Sequence, residues 1–86
     1  MARSFSAWKA WAAVKLLALK SKYRDNPKVS GAIDYLVNRL ERLRLDSLVA
    51  FLADLHRASA DCEEFLEILP SEEEVKVWFE EEGEEE

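Results

Sequence analysis

The sequence predicts an all-α fold, a small antiparallel helical bundle of three long helices plus a short C-terminal helix. Three observations predict it. Apolar residues recur at steps of three and four along most of the 86 residues. The two prolines fall where that phase breaks, at Pro27 and Pro70. The connections they leave are two or three residues long, which favours antiparallel neighbours. The length allows one domain, expected over residues 1–79, followed by an acidic tail over 80–86. A core this small supplies only about 3–5 kcal/mol.

The first helix starts at a serine cap, Ser4 or Ser6, and is expected to run to about Tyr23. Phe5, Trp8, Ala12, Leu16, Leu19 and Tyr23 set one apolar face. Ala7, Trp11, Val14 and Ala18 form a second stripe about 130° around the axis at 100° per residue. A helix with two apolar faces needs two neighbours, or one neighbour and a second subunit. Trp8, Trp11, Val14 and Ala18 are therefore the expected interface residues.

Asn26 and Pro27 open the second helix as cap and first residue, because proline biases its predecessor away from helical angles. Val29, Ile33, Leu36, Leu40 and Leu43 carry its seam to about Arg44, and Arg39, Arg42 and Arg44 suit the negative end of the helix dipole. Asp46 is the expected cap of the third helix. Its seam reads Leu48, Leu52, Leu55, Ser59, Cys62, Leu66 and Leu69, with no Gly or Pro inside, so one long helix over 46–69 is expected. Asp61 followed by Glu64 offers the alternative of a fresh start there. After Pro70, Ser71 and Glu74 form a Ser-x-x-Glu capping box for a short helix carrying Val75, Trp78 and Phe79. Residues 75–79 also alternate like a strand, but a lone strand leaves its backbone groups unsatisfied. Gly83 is expected to stop this helix, leaving a solvated acidic end.

Chemistry is sparse. One cysteine and one histidine exclude a disulfide framework and a Cys/His zinc module. Cys62 lies on a seam among leucines and reads as a core residue, with Glu63 and Glu64 adjoining it. His56 sits at the edge of its seam, and Asp54, two residues away on a helix, points elsewhere, so no base and partner form. The sequence holds no phosphate-cradling glycine loop, no Gly-x-Ser-x-Gly and no Glu-x-x-His. No catalytic residue, metal ligand or cofactor is assigned, and a non-enzymatic role is expected.

Charge is strongly polarised. Residues 1–44 hold ten Lys/Arg and three Asp/Glu, whereas residues 45–86 hold two and fifteen, for a net charge of −6. Such a chain can attract its own acidic half or that of a second copy. It can also present a basic face to nucleic acid through Lys9, Lys15, Lys20, Lys22, Arg24 and Lys28, although a net-acidic chain is a poor general phosphate binder. The chain has no Gln or Thr and only two Asn, while 35% of its residues are charged, the compositional drift of hyperthermophile proteins. The basic, tryptophan-bearing residues 1–24 also suggest an interfacial helix or transit peptide, but their lysines do not gather on one face. No stretch reaches the roughly 18 uninterrupted apolar residues of a membrane span. Lys9 and Lys15 interrupt any secretory apolar region, and a cytoplasmic location is expected.

The segment Ser6-Ala7-Trp8-Lys9-Ala10-Trp11-Ala12-Ala13-Val14-Lys15-Leu16-Leu17-Ala18-Leu19 resembles the Ala/Lys/Trp-rich helix of archaeal members of the HEPN helical-bundle family. Leu52-Ala53-Asp54-Leu55-His56 resembles the Leu-His step of a later helix in those proteins. The resemblance covers about thirty residues. It implies a four-helix bundle that dimerises; some members are ribonucleases with an Arg-x(4–6)-His motif, and others partner a nucleotidyltransferase. Here the positions that would hold the arginine are Val49, Ala50 and Phe51, so that motif is absent and no catalytic residue carries over. The expected function is a non-catalytic protein–protein interaction module, a subunit or adaptor forming a homodimer, with nucleic-acid association as the alternative.

Overall fold

The computed structural model describes the backbone of residues 3–85 and the side chains of residues 3–81. Four α-helices, α1 (Phe5–Lys22), α2 (Pro27–Glu41), α3 (Leu48–Ala58) and α4 (Glu72–Glu85), are joined with two 3-10 segments, Leu45–Ser47 and Glu63–Ile68. No strand occurs among the described residues, and residues 75–79 are helical. The all-α bundle expected from the periodicity is the observed fold.

Each helix begins where local chemistry fixes it. The Ser4 hydroxyl accepts a hydrogen bond from the Ala7 N–H at 3.1 Å, which selects Ser4 over Ser6 as the cap of α1. Asn26 caps α2 by accepting from the Val29 N–H at 3.3 Å, with Pro27 at the first position. Helix α2 stops at Glu41, earlier than the Arg44 expected, and Leu43 is buried in the connection that follows. There the Leu43 carbonyl accepts a bond of 2.8 Å from Lys9 Nζ, a cation satisfying an orphan carbonyl just beyond the helix end. Asp46 does not cap a helix: it lies inside the first 3-10 segment, and α3 starts only at Leu48.

The single helix expected over 46–69 is two segments. Helix α3 ends at Ala58, a turn follows, and Cys62 takes an extended conformation before the second 3-10 segment. The break has a physical cause in the short polar run Ser59-Ala60-Asp61. The Ser59 hydroxyl donates to the His56 carbonyl at 2.5 Å, and Asp61 pairs with Lys28 of α2 at 3.1 Å. Past the break the buried residues are Cys62, Phe65 and Ile68, three apart, the period of a 3-10 helix. Leu66, which the long-helix seam places inside, is 38% exposed.

The core gathers Trp8, Ala12 and Leu16 of α1, Val29, Ile33, Leu36 and Leu40 of α2, and Leu48, Phe51 and Leu55 of α3, with Phe65 and Ile68 closing one side. Helix α4 lies on an aromatic cluster: the ring centres of Phe5 and Trp8 are 5.3 and 5.6 Å from that of Trp78. The Trp8 ring meets Phe51 edge-on at 6.2 Å. Buried indole N–H groups need acceptors, and both have one. Trp8 donates to the Ile68 carbonyl at 2.9 Å and Trp78 to the Arg3 carbonyl at 2.7 Å. Gly83 does not stop α4, whose backbone is helical to Glu85. The side chains of Glu82, Glu84, Glu85 and Glu86 in the expected 80–86 tail lie outside the described residues.

Candidate interaction site

The two apolar stripes of α1 have different fates. Trp8, an interface residue on the sequence pattern, is fully buried, because it belongs to the inward face with Phe5 and Ala12. That assignment is corrected: Trp8 is core. Trp11 is half-buried, while Val14 and Ala18 are exposed, Val14 to 67%. Leu17 joins them at 53%; it lies off the stripe that the spacing of apolar residues picks out. With Ala7, Ala10 and Ser21, all exposed, these residues make the face turned away from the core at 100° per residue. No charged residue lies on that face. An exposed helix ordinarily carries its charges opposite the core, and here they sit on the flanks.

The flanking lysines are engaged within the chain. Lys9 bonds the Leu43 carbonyl, Lys20 pairs with Asp34 at 2.5 Å and Lys22 with Glu64 at 2.9 Å. Lys15 stands 5.8 Å from the Trp11 ring centre, and Arg3 stands 4.5 Å from the same centre. Lys28 holds Asp61 at 3.1 Å. Of the residues read as a nucleic-acid surface, Lys15 and Arg24 alone have no ion-pair or carbonyl partner among the described residues. Lys22, Lys28 and Arg39 of the basic half thus pair with Glu64, Asp61 and Asp54 of the acidic half, whereas Lys20 pairs within its own half.

Beside the outward face runs a groove of about 320 Å³, floored by Trp11, Ala18, Leu19 and Ile68. At its rim, Glu64 accepts from Lys22 and, at 2.5 Å, from the Tyr23 hydroxyl. These two hydrogen bonds hold the Glu64 carboxyl below the usual carboxylate range. The same bond to the carboxylate pushes the Tyr23 phenol up to about 12.

At the opposite end, the capping box read from the sequence is formed and extended. Ser71 and Glu74 exchange bonds of 3.1 Å, Glu74 N–H to the Ser71 hydroxyl and Ser71 N–H to the carboxylate. Glu74 is only 6% exposed, and its carboxylate also takes the Arg3 guanidinium at 2.8 and 2.9 Å and the Arg3 backbone N–H at 3.1 Å. The Arg3 hydrogen bonds, outweighing desolvation, hold Glu74 down at about 2. Nothing in the sequence pattern pairs residue 3 with residue 74; only the tertiary fold does.

Cys62 is buried and His56 exposed. Among the described residues no group of three or more His, Cys, Asp or Glu side chains could hold a metal ion, and no helix is long and apolar enough to cross a membrane. No protein-family model matches this chain. No curated protein matches it, and no solved structure does.

Proposed function

We propose that this chain is a non-catalytic helical interaction module, a subunit or adaptor that associates with a second copy through the outward face of α1. The observation that carries the reading is the charge-free, solvent-facing row Ala7, Ala10, Val14, Leu17 and Ala18 in a chain with 35% charged residues. A second copy suits this row because it is close to symmetric about Val14. In an antiparallel pairing Ala7 faces Ser21, Ala10 faces Ala18 and Trp11 faces Leu17 of the other helix, an isologous contact. Small residues at both ends let two helix axes approach to the usual 8–10 Å or so. Ion pairing of Lys20 and Lys22 within each chain lowers the like charge that two basic helices would otherwise bring together.

Full burial of a Val or Leu side chain is worth about 1.5–3 kcal/mol, less for residues already half covered. Set against an association cost of about 4–15 kcal/mol, the contact belongs to the weak, concentration-dependent class. The paired substitution Val14→Glu/Leu17→Glu tests it by sedimentation equilibrium. The wild type should approach twice the chain mass at high micromolar concentration and the variant should stay at one chain mass. A wild type that is monomeric there contradicts the reading.

Ion pairing of Lys20, Lys22 and Lys28 weighs against nucleic-acid association through that surface, on which Lys15 and Arg24 have no ion pair among the described residues. A HEPN-like ancestry accords with a four-helix bundle that dimerises, and it adds no residue to the site. We also read the charge-rich, amide-poor composition as that of a hyperthermophile cytoplasmic protein. Melting above about 90 °C is expected, and unfolding near about 50 °C, an ordinary mesophile value, contradicts that origin.

A further inference from the structure

Lys15 stands apart from the other lysines of α1. Lys9 bonds the Leu43 carbonyl, and Lys20 and Lys22 pair with Asp34 and Glu64. Lys15 is exposed and has neither a hydrogen bond nor an ion pair among the described residues. Its ammonium lies 5.8 Å from the centre of the Trp11 ring, one turn back along the helix. Glu67, on the 3-10 wall of the groove, makes no ion pair with it. Trp11 in turn differs from the other two tryptophans. The indole N–H groups of Trp8 and Trp78 have carbonyl acceptors, and that of Trp11 has none among the described residues. An unpaired cation and an unpaired donor thus share one flank of the outward face. They lie beside Val14, about which that face is close to symmetric.

We propose that the α1 contact between two copies holds a multivalent oxyanion, of the inorganic phosphate class, between the two Lys15 ammoniums. The site rests on the antiparallel pairing proposed above, and helix geometry places it. Lys15 is one residue past Val14, so its two copies lie on the same flank of the pair, offset along the helices by about 3 Å, two rises of ~1.5 Å. With helix axes about 8–10 Å apart, the two ammoniums fall within a Debye length of each other, about 8–10 Å, and salt screens their repulsion little. No carboxylate pairs with either one, and a single divalent anion neutralises both. The two copies of Trp11, three residues before Val14, flank the lysines at either end and add indole N–H donors. Lys20, Lys22 and Lys28 beyond them are ion-paired, so the free charge suits one compact anion rather than a long polyanion. By linkage, the anion tightens the dimer by the factor by which the dimer tightens the anion.

Sedimentation equilibrium of the full chain, in chloride and with low-millimolar inorganic phosphate at matched ionic strength and neutral pH, tests it. The wild type should dimerise in both, and more tightly with phosphate by about 5–150-fold, the usual span of coupling between two ligands. Lys15→Gln should dimerise more tightly than the wild type in chloride and should not respond to phosphate. A second measurement tests the juxtaposition without the anion. Wild-type chain is mixed in chloride with Lys15→Glu, one of the two isotopically labelled so that native mass spectrometry separates the pairs. The mixed pair should form in preference to either homodimer, because it alone sets opposite charges side by side. Equal association in the two salts, a phosphate response that Lys15→Gln keeps, or no preference for the mixed pair overturns the anion site and leaves the α1 contact standing. A wild type that stays at one chain mass in both salts contradicts the α1 contact itself, and the site with it.

Discussion

The inward and outward faces of α1 are built on one helix with the same spacing, yet they do different things. The inward face carries Trp8, Ala12 and Leu16, all fully buried, with Phe5 and Leu19 packed against them. The outward face carries Val14 and Leu17, more than half exposed, among alanines. Side-chain size separates them. Large rings meet Phe51 and Trp78 across the core, whereas alanines leave a flat strip on which another helix can lie. The lesson is that a second apolar stripe on a small bundle is not spare core, because the bundle has no element left to cover it.

The comparison can be broken first at the inward face. Trp8→Ala should cost about 3–5 kcal/mol, the range for a buried aromatic, which matches the whole stability of a core this small. A urea midpoint falling to near zero is the expected outcome. Val14→Ala should shift the midpoint at low protein concentration by less than about 0.5 kcal/mol, as for an ordinary surface change. Equal losses at the two positions would mean that the outward stripe packs within the chain.

Next in size is the Arg3–Glu74 clasp at the other end of the molecule. Glu74→Gln should lose about 1.5–3 kcal/mol, the value of hydrogen bonds to a charged group, measured by denaturant titration. Glu74 is lowered from 4.5 to about 2 in the fold. Its contribution is therefore fully present above about pH 4.5 and is lost as pH falls toward 2. A stability–pH curve that falls less steeply over that window in Glu74→Gln than in the wild type is the expected pair of results, the remaining slope including that of Glu64, which is also lowered.

The rim of the groove gives a smaller, spectroscopic effect. With Tyr35→Phe leaving Tyr23 as the sole tyrosine, ultraviolet titration should place the phenol near 12. Glu64→Gln should return it toward the ordinary value near 10. Because the folded phenol is raised, any stability it contributes is present below about pH 10 and disappears toward pH 12. Smallest of all is the exposed Lys20–Asp34 pair. Asp34→Asn should change stability by about 1 kcal/mol at most, and less with added salt.

Much of the fold is legible in the sequence because its signals are local. Asn26-Pro27 and Ser71/Glu74 each satisfy backbone groups within three residues, so their spacing locates two helix starts, whereas for α1 it leaves Ser4 and Ser6 open and for α3 it points to Asp46, which caps no helix. The break after Ala58 is less legible. No Gly or Pro marks it, and the leucines at 48, 52, 55, 66 and 69 keep a helical rhythm across it. The better signal is Cys62, Phe65 and Ile68 at intervals of three, beside the alternative start at Asp61 and Glu64. The clasp is not legible in its tertiary half: the pattern shows that Glu74 caps a helix, but only the fold brings Arg3 to it across 71 positions. The outward face is legible as a stripe, and the pattern misplaces one residue of it. Trp8 sits at the edge of the inward stripe nearest Trp11, and its position beside Phe5 and Ala12 sends it inward.

The central claim is that the outward face of α1 joins two copies. Sedimentation equilibrium of the wild-type chain, of 9.9 kDa, over a series reaching high micromolar concentration tests it most directly. The account predicts a mass rising toward twice that value, and a mass held at one chain by Val14→Glu/Leu17→Glu with helix content unchanged. A wild-type mass that stays at one chain throughout the series would contradict it.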